Sequence, residues 1–320
     1  MRIENPKFNL ELLKRLLHIS APMPDRIQIE ITNRCNLNCA MCPKKFYNLP
    51  NENMSLDRFK KIIDKLDGVN LILPVGWGES FVHPEIDQMI NYLRKKNKEV
   101  KIATNGLLLN NEKLIKTALK TDSLTFSLDQ IDEKKNHGES AKIIANIKTI
   151  LKRRGKKKKP YITIQPVLFK NNKDVLDVIR LASRLGVDRV NIIRPYTKFD
   201  KSIGNTWEER KEIYKEVEKL SEKLGLRVDM FEYSSFSGIK RLAWKYGKGI
   251  FRLNDWCPRL YDFAYITLDG KVTPCCALPR HIVGDLTKQT IKEIWNSKKM
   301  QAFRKNHKKI CRDCEVLKIK

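Results

Sequence analysis

Short apolar segments alternate with amphipathic segments between Arg26 and about Val228, and this alternation constrains the fold more than any other feature. The apolar segments have the length and β-branched content of buried strands. The segments between them place apolar residues at helical spacing, as in Leu56–Leu66 behind the capping residue Ser55. Strands that alternate with helices indicate parallel pairing through right-handed βα units. The sequence therefore predicts an α/β fold with a partial (β/α)6 barrel, and a doubly wound parallel sheet is the alternative.

The predicted elements divide the chain into three parts. We expect an N-terminal amphipathic extension at 1–25, the barrel at 26–233 and a small cysteine-rich domain at 234–320. The predicted strands are Ile27–Thr32, Val69–Val75, Val100–Ala103, Ser123–Leu128, Ile162–Leu168 and Val187–Ile193 in the barrel, and Phe263–Leu268 beyond it. The predicted barrel helices are Leu56–Leu66, Glu85–Lys95, Glu112–Leu119, Lys142–Leu151, Asp174–Leu185 and Trp207–Leu224. The last part opens with a connector at 234–254 and includes a predicted helix at Ile291–Lys305.

The chain is strongly basic, with a net charge of +27 from 64 Lys and Arg against 37 Asp and Glu. Such a charge indicates either an acidic partner, such as RNA, or a lysine-rich surface that only faces solvent. Lysines are spread over all the predicted surface helices, which favours the second interpretation. The dense run Lys152–Lys159 (KRRGKKKK) either contacts phosphates or forms the tip of a helix–strand loop.

No stretch of the sequence approaches the roughly 18 consecutive apolar residues that a membrane-spanning helix needs. The first residues, MRIENPKFNLELLKRLL, carry charges throughout and lack the apolar centre of a secretory signal. We therefore expect a cytoplasmic protein.

Eight cysteines are many for such a protein, because stable disulfides are rare in the cytoplasm and clustered thiols there more often bind metal. Three of them lie near the start of the chain, and the other five lie in its last quarter. This distribution predicts two separate metal sites.

The first group, Cys35, Cys39 and Cys42, has the spacing C-x3-C-x2-C directly after a predicted strand. The same spacing would also place three buried thiols on one helix face. The sequence CNLNCAMCP favours a loop, because Asn and Pro are poor residues for a helix interior. Three thiolates suit a [4Fe–4S] cluster in which one iron keeps no protein ligand, as the open position of a catalytic metal requires.

This segment resembles the cluster motif of the radical S-adenosylmethionine (SAM) enzymes, with Met41 at the apolar position before the last cysteine. The resemblance implies that the open iron binds the amino and carboxylate groups of SAM and that Met41 packs near the adenine. It implies reductive cleavage of SAM to a 5′-deoxyadenosyl radical that abstracts hydrogen from a substrate. A reductant such as ferredoxin or flavodoxin is then expected.

A second match follows the second predicted strand, where Gly76-Trp77-Gly78-Glu79 resembles the "GGE" motif of this family. Trp77 departs from the family pattern, which has glycine there. Glycines allow a close approach of the backbone, and Glu79 is implied to accept a hydrogen bond from the cationic amino group of SAM.

Polar residues also follow three later strands. Asn105, Ser127 and Asp129 occupy positions that in this family line the ribose and methionine portions of SAM. Each is also an ordinary turn or cap residue. Arg194 after the sixth strand either meets a carboxylate or, with Pro195, only ends the strand.

The C-terminal cysteines resemble the SPASM domain, an auxiliary iron–sulfur domain of the same superfamily. Cys257, Gly270 and Cys275 have the spacing of its opening, and a single C-x2-C pair, Cys311 and Cys314, ends it. Because full versions carry seven cysteines, the resemblance is to the shortened "twitch" form with one auxiliary [4Fe–4S] cluster. These four cysteines are the implied ligands.

Two alternatives remain at this site. A C-x2-C pair with two remote cysteines is also typical of zinc ribbons. Cys276 is adjacent to Cys275 and is an alternative ligand.

The leading hypothesis is a radical SAM enzyme that oxidises or modifies a small molecule or a peptide side chain, with electron transfer through the auxiliary cluster. One alternative makes RNA the substrate, and another is a non-catalytic protein that binds zinc and nucleic acid. We predict no protein general base, although Tyr261, Asp262 and His281 lie near the second cysteine group. Catalytic residues beyond the cofactor site are therefore not assigned from the sequence.

Overall fold

The computed structural model describes residues 21–49, 51–131, 139–170, 174–197, 200–230, 257, 259–311 and 314. The predicted connector and all but the last residues of the predicted N-terminal extension lie outside these residues. The strands are β1 (Arg26–Ile29), β2 (Leu71–Leu73), β3 (Glu99–Thr104), β4 (Ser123–Ser127), β5 (Tyr161–Gln165), β6 (Arg189–Ile192), β7 (Val228–Met230), β8 (Phe263–Ile266), β9 (Lys271–Thr273) and β10 (Gly284–Asp285). The helices are α1 (Lys44–Tyr47), α2 (Leu56–Asp64), α3 (Ile86–Lys95), α4 (Glu112–Ala118), α5 (Glu139–Arg154), α6 (Asp174–Leu185), α7 (Trp207–Leu224), α8 (Arg259–Asp262), α9 (Ile291–Trp295) and α10 (Lys298–Ile310).

The chain forms two compact units that each combine segments distant in sequence. The first unit comprises Met1–Cys35, Pro50–Val100 and Cys257–Arg312. The second unit comprises Asn36–Leu49, Lys101–Trp256 and Asp313–Lys320. The predicted domains at 26–233 and 234–320 are continuous in sequence, unlike these units, and their boundaries stay predictions.

In the first unit, the sheet has the order β10-β9-β8-β1-β2-β3. Strand β1 pairs in parallel with β2 on one side and with β8 on the other, whereas β8, β9 and β10 form an antiparallel meander. The apolar face of α2 buries Phe59, Ile62 and Ile63, and Ser55 caps this helix by accepting a hydrogen bond from the Arg58 N–H at 3.3 Å. The cap that the sequence predicts is therefore confirmed.

In the second unit, strands β3 to β7 are all parallel and follow one another in chain order. Strand β3 takes part in both units, because Glu99 and Val100 pair with β2 and the rest of the strand pairs with β4. A doubly wound sheet reverses its strand order at a switch point. No reversal occurs from β1 to β7, so the predicted α/β fold with a partial barrel is confirmed and the doubly wound alternative is wrong.

The helices of the second unit cover one face of its sheet. Phe126 of β4 and Ile143 of α5 both lie within 3.4 Å of the position that a Cβ at Gly106 would take. Gly106 has φ +77°, a conformation that glycine adopts without strain. Buried residues of α5 and α6 complete this layer, including Ile147, Ile150, Val175, Val178 and Ile179.

The predicted helix at Ile291–Lys305 is wrong as a single element. The structure has α9 and α10 there, because Asn296 ends the first helix and Ser297 caps the second through its Oγ, 3.3 Å from the Met300 N–H. Strand β7, with three residues, and helix α1, with four, are too short for a periodic pattern and were not predicted.

A buried arginine holds the C-terminal helices together. The guanidinium of Arg304 donates to the carbonyl oxygens of Leu260 (3.0 Å) and Trp295 (2.8 Å) and to Oδ1 of Asn296 (3.0 Å). It also lies 4.6 Å from the centre of the Trp295 ring. Burial lowers the pKa of Arg304 to about 10, so the side chain keeps its charge at neutral pH. Arg304 therefore ties α8, which follows Cys257, to α10, which precedes Cys311.

None of the helices in the described part of the chain combines the length and the hydropathy that a membrane span requires. The cytoplasmic location stays a prediction.

Candidate functional site

The backbone that leads into the first cysteine is pinned by hydrogen bonds in the first unit. Asn33 Oδ1 accepts the Glu52 N–H at 2.8 Å, and the Arg34 Nε–H donates to the Asn51 carbonyl at 3.0 Å. Thr32 Oγ1 accepts the Arg34 N–H at 3.0 Å. Thr32 and Asn33 are each 1% exposed. Cys35 thus emerges, exposed, from a rigid strand end.

The loop that contains the G-x-G-E sequence lies directly on this strand end. The Glu79 N–H donates to the Arg34 carbonyl at 2.9 Å. A Cβ at Gly78 would stand 2.3 Å from the Arg34 oxygen and 2.7 Å from the Thr32 oxygen, so only glycine fits there. The predicted need for close backbone approach is therefore confirmed at Gly78.

Sequence reasoning missed Glu30, a carboxylate that is 3% exposed beneath this loop. Its Oε1 accepts the Trp77 N–H at 3.2 Å, and a Cβ at Gly76 would stand 2.4 Å from its Cγ. Burial raises the pKa of Glu30, while hydrogen bonds from the Trp77 N–H and the Tyr265 hydroxyl oppose that rise. The sequence signal that could have identified Glu30 is its position as the one charged residue within the predicted strand IQIEIT. The middle position of the loop, Trp77, contributes its backbone N–H, which any residue except proline supplies.

Glu79 is 4% exposed and has a local structural role. Its Oε1 accepts the Phe81 N–H at 3.1 Å and so caps the short 3-10 helix Ser80–Val82. This hydrogen bond orients the carboxylate. Its predicted contact with the amino group of SAM stays a prediction.

The other two cysteines of the motif belong to the second unit and lie on a turn. The Cys42 N–H donates to the Cys39 carbonyl at 3.1 Å, and helix α1 begins only after Pro43. Cys39 is exposed and Cys42 is half-buried, as is Met41. The alternative of three buried thiols on a helix face is therefore wrong.

Asn105 links the cysteine loop to the loop after β3. Its Nδ2–H donates to Oδ1 of Asn36 at 2.8 Å, and its Oδ1 accepts the Leu107 N–H at 3.1 Å. Asn36 lies between the first two cysteines of the motif. Asn105 thus shapes the cysteine loop, a role that sequence reasoning did not include.

Two further predicted SAM contacts, Ser127 and Asp129, lie at the end of β4 and just after it in the second unit. Ser127 is exposed at the end of the strand. Oδ1 of Asp129 accepts the Val167 N–H at 2.8 Å. Burial raises the pKa of Asp129 to about 6, and the Val167 hydrogen bond offsets only part of that rise. Arg194, after β6, is half-buried.

The second cysteine group lies mainly in the first unit, around a guanidinium. Burial lowers the pKa of Arg259, but the nearby sulfurs of Cys276, Cys275 and Cys257 have the larger opposite effect, so the pKa of Arg259 is raised overall. Three cysteine sulfurs therefore share one cation.

Cys275 and Cys276 interact with each other. A hydrogen bond between their sulfurs raises the pKa of Cys275 and lowers that of Cys276. Because the two cysteines are adjacent and their sulfurs interact, either one can be the predicted ligand of the auxiliary cluster. Cys311 ends α10, and Cys314 belongs to the second unit.

Among the described residues, no three Cys, His, Asp or Glu side chains form a preassembled metal site. The donor chemistry nevertheless fits iron–sulfur ligation. The cysteines lie outside the strands, none of them in a disulfide among the described residues, and the guanidinium of Arg259 supplies a positive charge beside the C-terminal sulfurs. Cys35, Cys39, Cys42, Cys257, Cys275, Cys311 and Cys314 stay the predicted ligands.

The candidate acid–base residues near the second group have structural partners. Oδ2 of Asp262 pairs with Arg26 at 3.2 Å, Tyr261 is 4% exposed, and the His281 ring lies tilted against the Phe303 ring, with 4.8 Å between their centres. These contacts agree with the prediction that none acts as a general base, which stays a prediction.

The dense basic run is partly neutralised within the second unit. Arg153 pairs with Glu112 at 2.9 Å, Arg154 pairs with Asp188, and Lys159 pairs with Asp122 at 2.6 Å. These ion pairs reduce the charge that the run presents to a polyanion.

Two family models match the chain. The model of the radical SAM superfamily matches residues 29–217, and that of the SPASM iron–sulfur cluster-binding domain matches residues 257–315.

Among curated proteins, the chain is 28% identical to the tungsten-containing aldehyde ferredoxin oxidoreductase cofactor-modifying protein of Pyrococcus furiosus, over 91% of this chain and 87% of that protein. It is 37% identical to the antilisterial bacteriocin subtilosin biosynthesis protein AlbA of Bacillus subtilis, over 35% of this chain and 25% of that protein.

Among solved structures, Streptococcus suis SuiB bound to the precursor peptide SuiA superposes with a TM-score of 0.71. The match covers 99% of this chain and 76% of SuiB at 18% identity. At that identity, the likeness shows the fold.

We expect the substitution Gly78→Ala to weaken SAM binding by about tenfold or more, since the new Cβ must displace the loop that carries Glu79 from the Arg34 carbonyl. Equilibrium binding of SAM to anaerobically reconstituted protein measures the effect. Gly186→Ala is the control, because Gly186 ends α6 at φ +72° with open space around it. That control should cost about 1 kcal/mol of stability and leave SAM affinity unchanged. Wild-type SAM affinity of Gly78→Ala would contradict the assignment.

The raised pKa of Asp129 predicts a pH-dependent stability difference. The folded state binds this proton more tightly than the unfolded state, so the contribution of Asp129 to stability falls as the pH rises from about 4 through 6. A shift from 3.8 to about 6 corresponds to about 3 kcal/mol at pH 7.5.

Asp129→Asn should therefore raise the melting temperature at pH 7.5, and about two thirds of the gain in stability should be lost by pH 4.5. Thermal melts followed by circular dichroism test this expectation. Asp177→Asn, on the exposed surface of α6, is the control. An equal gain at both pH values would show that burial of the charge is not the cause.

Proposed function

Because this chain belongs to the radical SAM superfamily and carries a SPASM domain, we propose that it cleaves SAM reductively and abstracts hydrogen from a peptide or small-molecule substrate. It is a radical SAM enzyme whose cofactors are SAM and two [4Fe–4S] clusters. The substrate and the outcome of the reaction are the proposed part.

The rigid connection between the G-x-G-E loop and the strand end before Cys35 carries this proposal. The Glu79 N–H to Arg34 carbonyl bond, at 2.9 Å, places the loop one residue from the first cysteine of the motif. Such a contact couples the position of a cluster ligand to that of a predicted SAM-binding carboxylate. Cys35 itself is exposed.

When bound, the first cluster supplies the electron that converts SAM to methionine and the hydrogen-abstracting radical. In our proposal, Cys35, Cys39 and Cys42 hold this cluster, and Glu79 accepts a hydrogen bond from the ammonium group of SAM. Further predicted SAM contacts come from Met41, Gly76, Gly78, Asn105, Ser127 and Asp129.

The C-terminal cysteines Cys257, Cys275, Cys311 and Cys314 would hold the auxiliary cluster, which would carry an electron to or from the substrate. The guanidinium of Arg259 beside Cys275 supports this assignment. A buried positive charge stabilises a thiolate-ligated cluster, whose net charge is negative, and it adds a donor to the sulfur.

The names of the relatives support both substrate classes, a small molecule and a peptide. The name of the Pyrococcus furiosus protein, which aligns over almost the whole chain, describes modification of an enzyme cofactor, and that of the Bacillus subtilis protein describes bacteriocin biosynthesis. RNA as substrate is not favoured, because Arg153, Arg154 and Lys159 of the basic run at 152–159 are ion-paired within the second unit.

Anaerobic reconstitution of wild-type protein should give about eight irons and eight sulfides per chain, and dithionite with SAM should yield 5′-deoxyadenosine. Cys39→Ala should lose about four irons and all nucleoside formation, because only two thiolates of the first motif remain. Cys276→Ser is the matched control and should keep both. If Cys39→Ala retained full iron content and nucleoside release, the proposed site of the first cluster would be wrong. If the wild-type protein contained about four irons together with zinc, the C-terminal cysteines would bind zinc instead of an auxiliary cluster.

A further inference from the structure

Helix α10, at Lys298–Ile310, differs in charge from the other helices of the described chain. Its sequence, KKMQAFRKNHKKI, contains five lysines, all of them exposed, and no carboxylate. Each of the other described helices of five or more residues has an Asp or Glu in its first turn. The high lysine content of the whole chain therefore does not account for the charge of α10.

The first turn of α10 carries two of these lysines, Lys298 and Lys299. The amino end of a helix has a partial positive charge, so cations at this end destabilise the helix. Ser297 caps α10 through its Oγ but is neutral and does not offset the two charges. Residues that oppose the stability of their own element indicate a role outside folding.

Three of the lysines align along the exposed side of α10. Lys298, Lys305 and Lys309 are separated by seven and then four residues, a spacing that places side chains on the same side of a helix. Ala302, also exposed, lies on this side between the first two. We term these four residues the lysine stripe, which extends over about 17 Å of the helix axis. Within the described residues, none of its three ammonium groups forms an ion pair.

The carboxyl end of α10 holds a predicted ligand of the auxiliary cluster. The Cys311 N–H donates to the His307 carbonyl at 2.6 Å, so the last turn of the helix fixes the backbone of this cysteine. Lys309 lies two residues before Cys311. The lysine stripe therefore ends within one helical turn of a cysteine that is predicted to bind iron.

Two isoleucines add apolar surface beside the lysines. Ile310 is 37% exposed and Ile282 is 48% exposed. Ile282 follows His281, whose ring lies against the ring of Phe303 in α10, with 4.8 Å between their centres. Interfaces between electron-transfer proteins are small, and protein interfaces combine an apolar centre with a polar rim. This surface offers both components.

Nucleic acid and lipid fit this surface less well than a protein does. Phe303, the aromatic residue of α10, is 2% exposed and cannot stack on a base. The apolar side of the helix, with Met300 and Phe303, is buried in the first unit and cannot insert into a membrane. An acidic protein supplies carboxylates to the lysines and apolar contacts to the isoleucines.

We propose that the lysine stripe docks an acidic electron-transfer protein that exchanges electrons with the auxiliary cluster. One electron passes in each encounter, so the donor is oxidised and the acceptor reduced by one electron, and no proton or covalent bond changes place. The lysines steer the encounter by long-range attraction and orient the carrier toward the end of α10. This inference rests on the proposed function, because it requires a loaded auxiliary cluster.

The experiment uses the full chain, anaerobically reconstituted with both clusters. The probe is an oxidised 2[4Fe–4S] ferredoxin, an acidic carrier, and isothermal titration calorimetry measures its affinity at low and at physiological ionic strength. Binding is expected and should weaken with salt, because exposed charges make the contacts. Cytochrome c, a basic carrier, should not bind. Carbodiimide cross-linking with mass spectrometry should join ferredoxin carboxylates to Lys298, Lys305 or Lys309.

The informative variant combines Lys298→Gln, Lys305→Gln and Lys309→Gln. Glutamine has a helix propensity similar to that of lysine, and loss of the charge at position 298 removes an unfavourable interaction with the helix dipole. The melting temperature should therefore not fall. We expect the affinity for ferredoxin to fall by about tenfold at low ionic strength, with dithionite-driven formation of 5′-deoxyadenosine unchanged within about twofold.

The matched control combines Lys211→Gln, Lys219→Gln and Lys223→Gln. These lysines are exposed on α7 in the second unit, and their replacement makes the same change in net charge. This control should keep the wild-type affinity for ferredoxin, because its substitutions leave the charge of α10 intact.

Failure of ferredoxin to bind, wild-type affinity in the α10 variant, an equal loss in the α7 control or cross-links confined to other segments would each overturn the inference. Transfer RNA serves as a competitor. If it displaced ferredoxin at physiological ionic strength and lost affinity in the α10 variant, the surface would belong to nucleic acid and the inference would be wrong.

Formation of 5′-deoxyadenosine with dithionite and SAM separates the two proposals, because dithionite needs no docking surface. Its absence in wild type would refute the proposed function. Its presence beside any of the contrary outcomes above would refute only the docking of a carrier on α10.

Discussion

The structure of the first unit depends on how strand β1 ends. The Glu30 carboxylate is buried at that end and accepts the Trp77 N–H, and the Arg34 carbonyl then accepts the Glu79 N–H. These two bonds hold the G-x-G-E loop against the backbone that leads to Cys35. Strand β1 also pairs with β8, the first strand after Cys257. One strand therefore organises the approach to the first cluster and the sheet of the auxiliary domain.

Much of this architecture could be predicted, because strand–helix alternation, helix caps and cysteine spacing are local properties of the sequence. Ser55 and Gly186 bound their helices as predicted. Glu30 could not be assigned, because a polar residue in a half-buried strand looks the same whether it faces solvent or a buried loop. The hydrogen bond from Asn105 to Asn36 joins residues 69 positions apart, and no local pattern reports such a contact. The pairing of β1 with β8 is equally non-local.

The central claim is that three cysteine ligands leave one iron of the first cluster open to SAM. Electron–nuclear double resonance on the reduced, SAM-loaded enzyme tests it most directly, with SAM labelled by ¹⁷O in its carboxylate and ¹⁵N in its amino group. We predict hyperfine coupling from both labels to the cluster in wild type. A fully loaded, reduced first cluster that shows coupling to neither label would contradict the account.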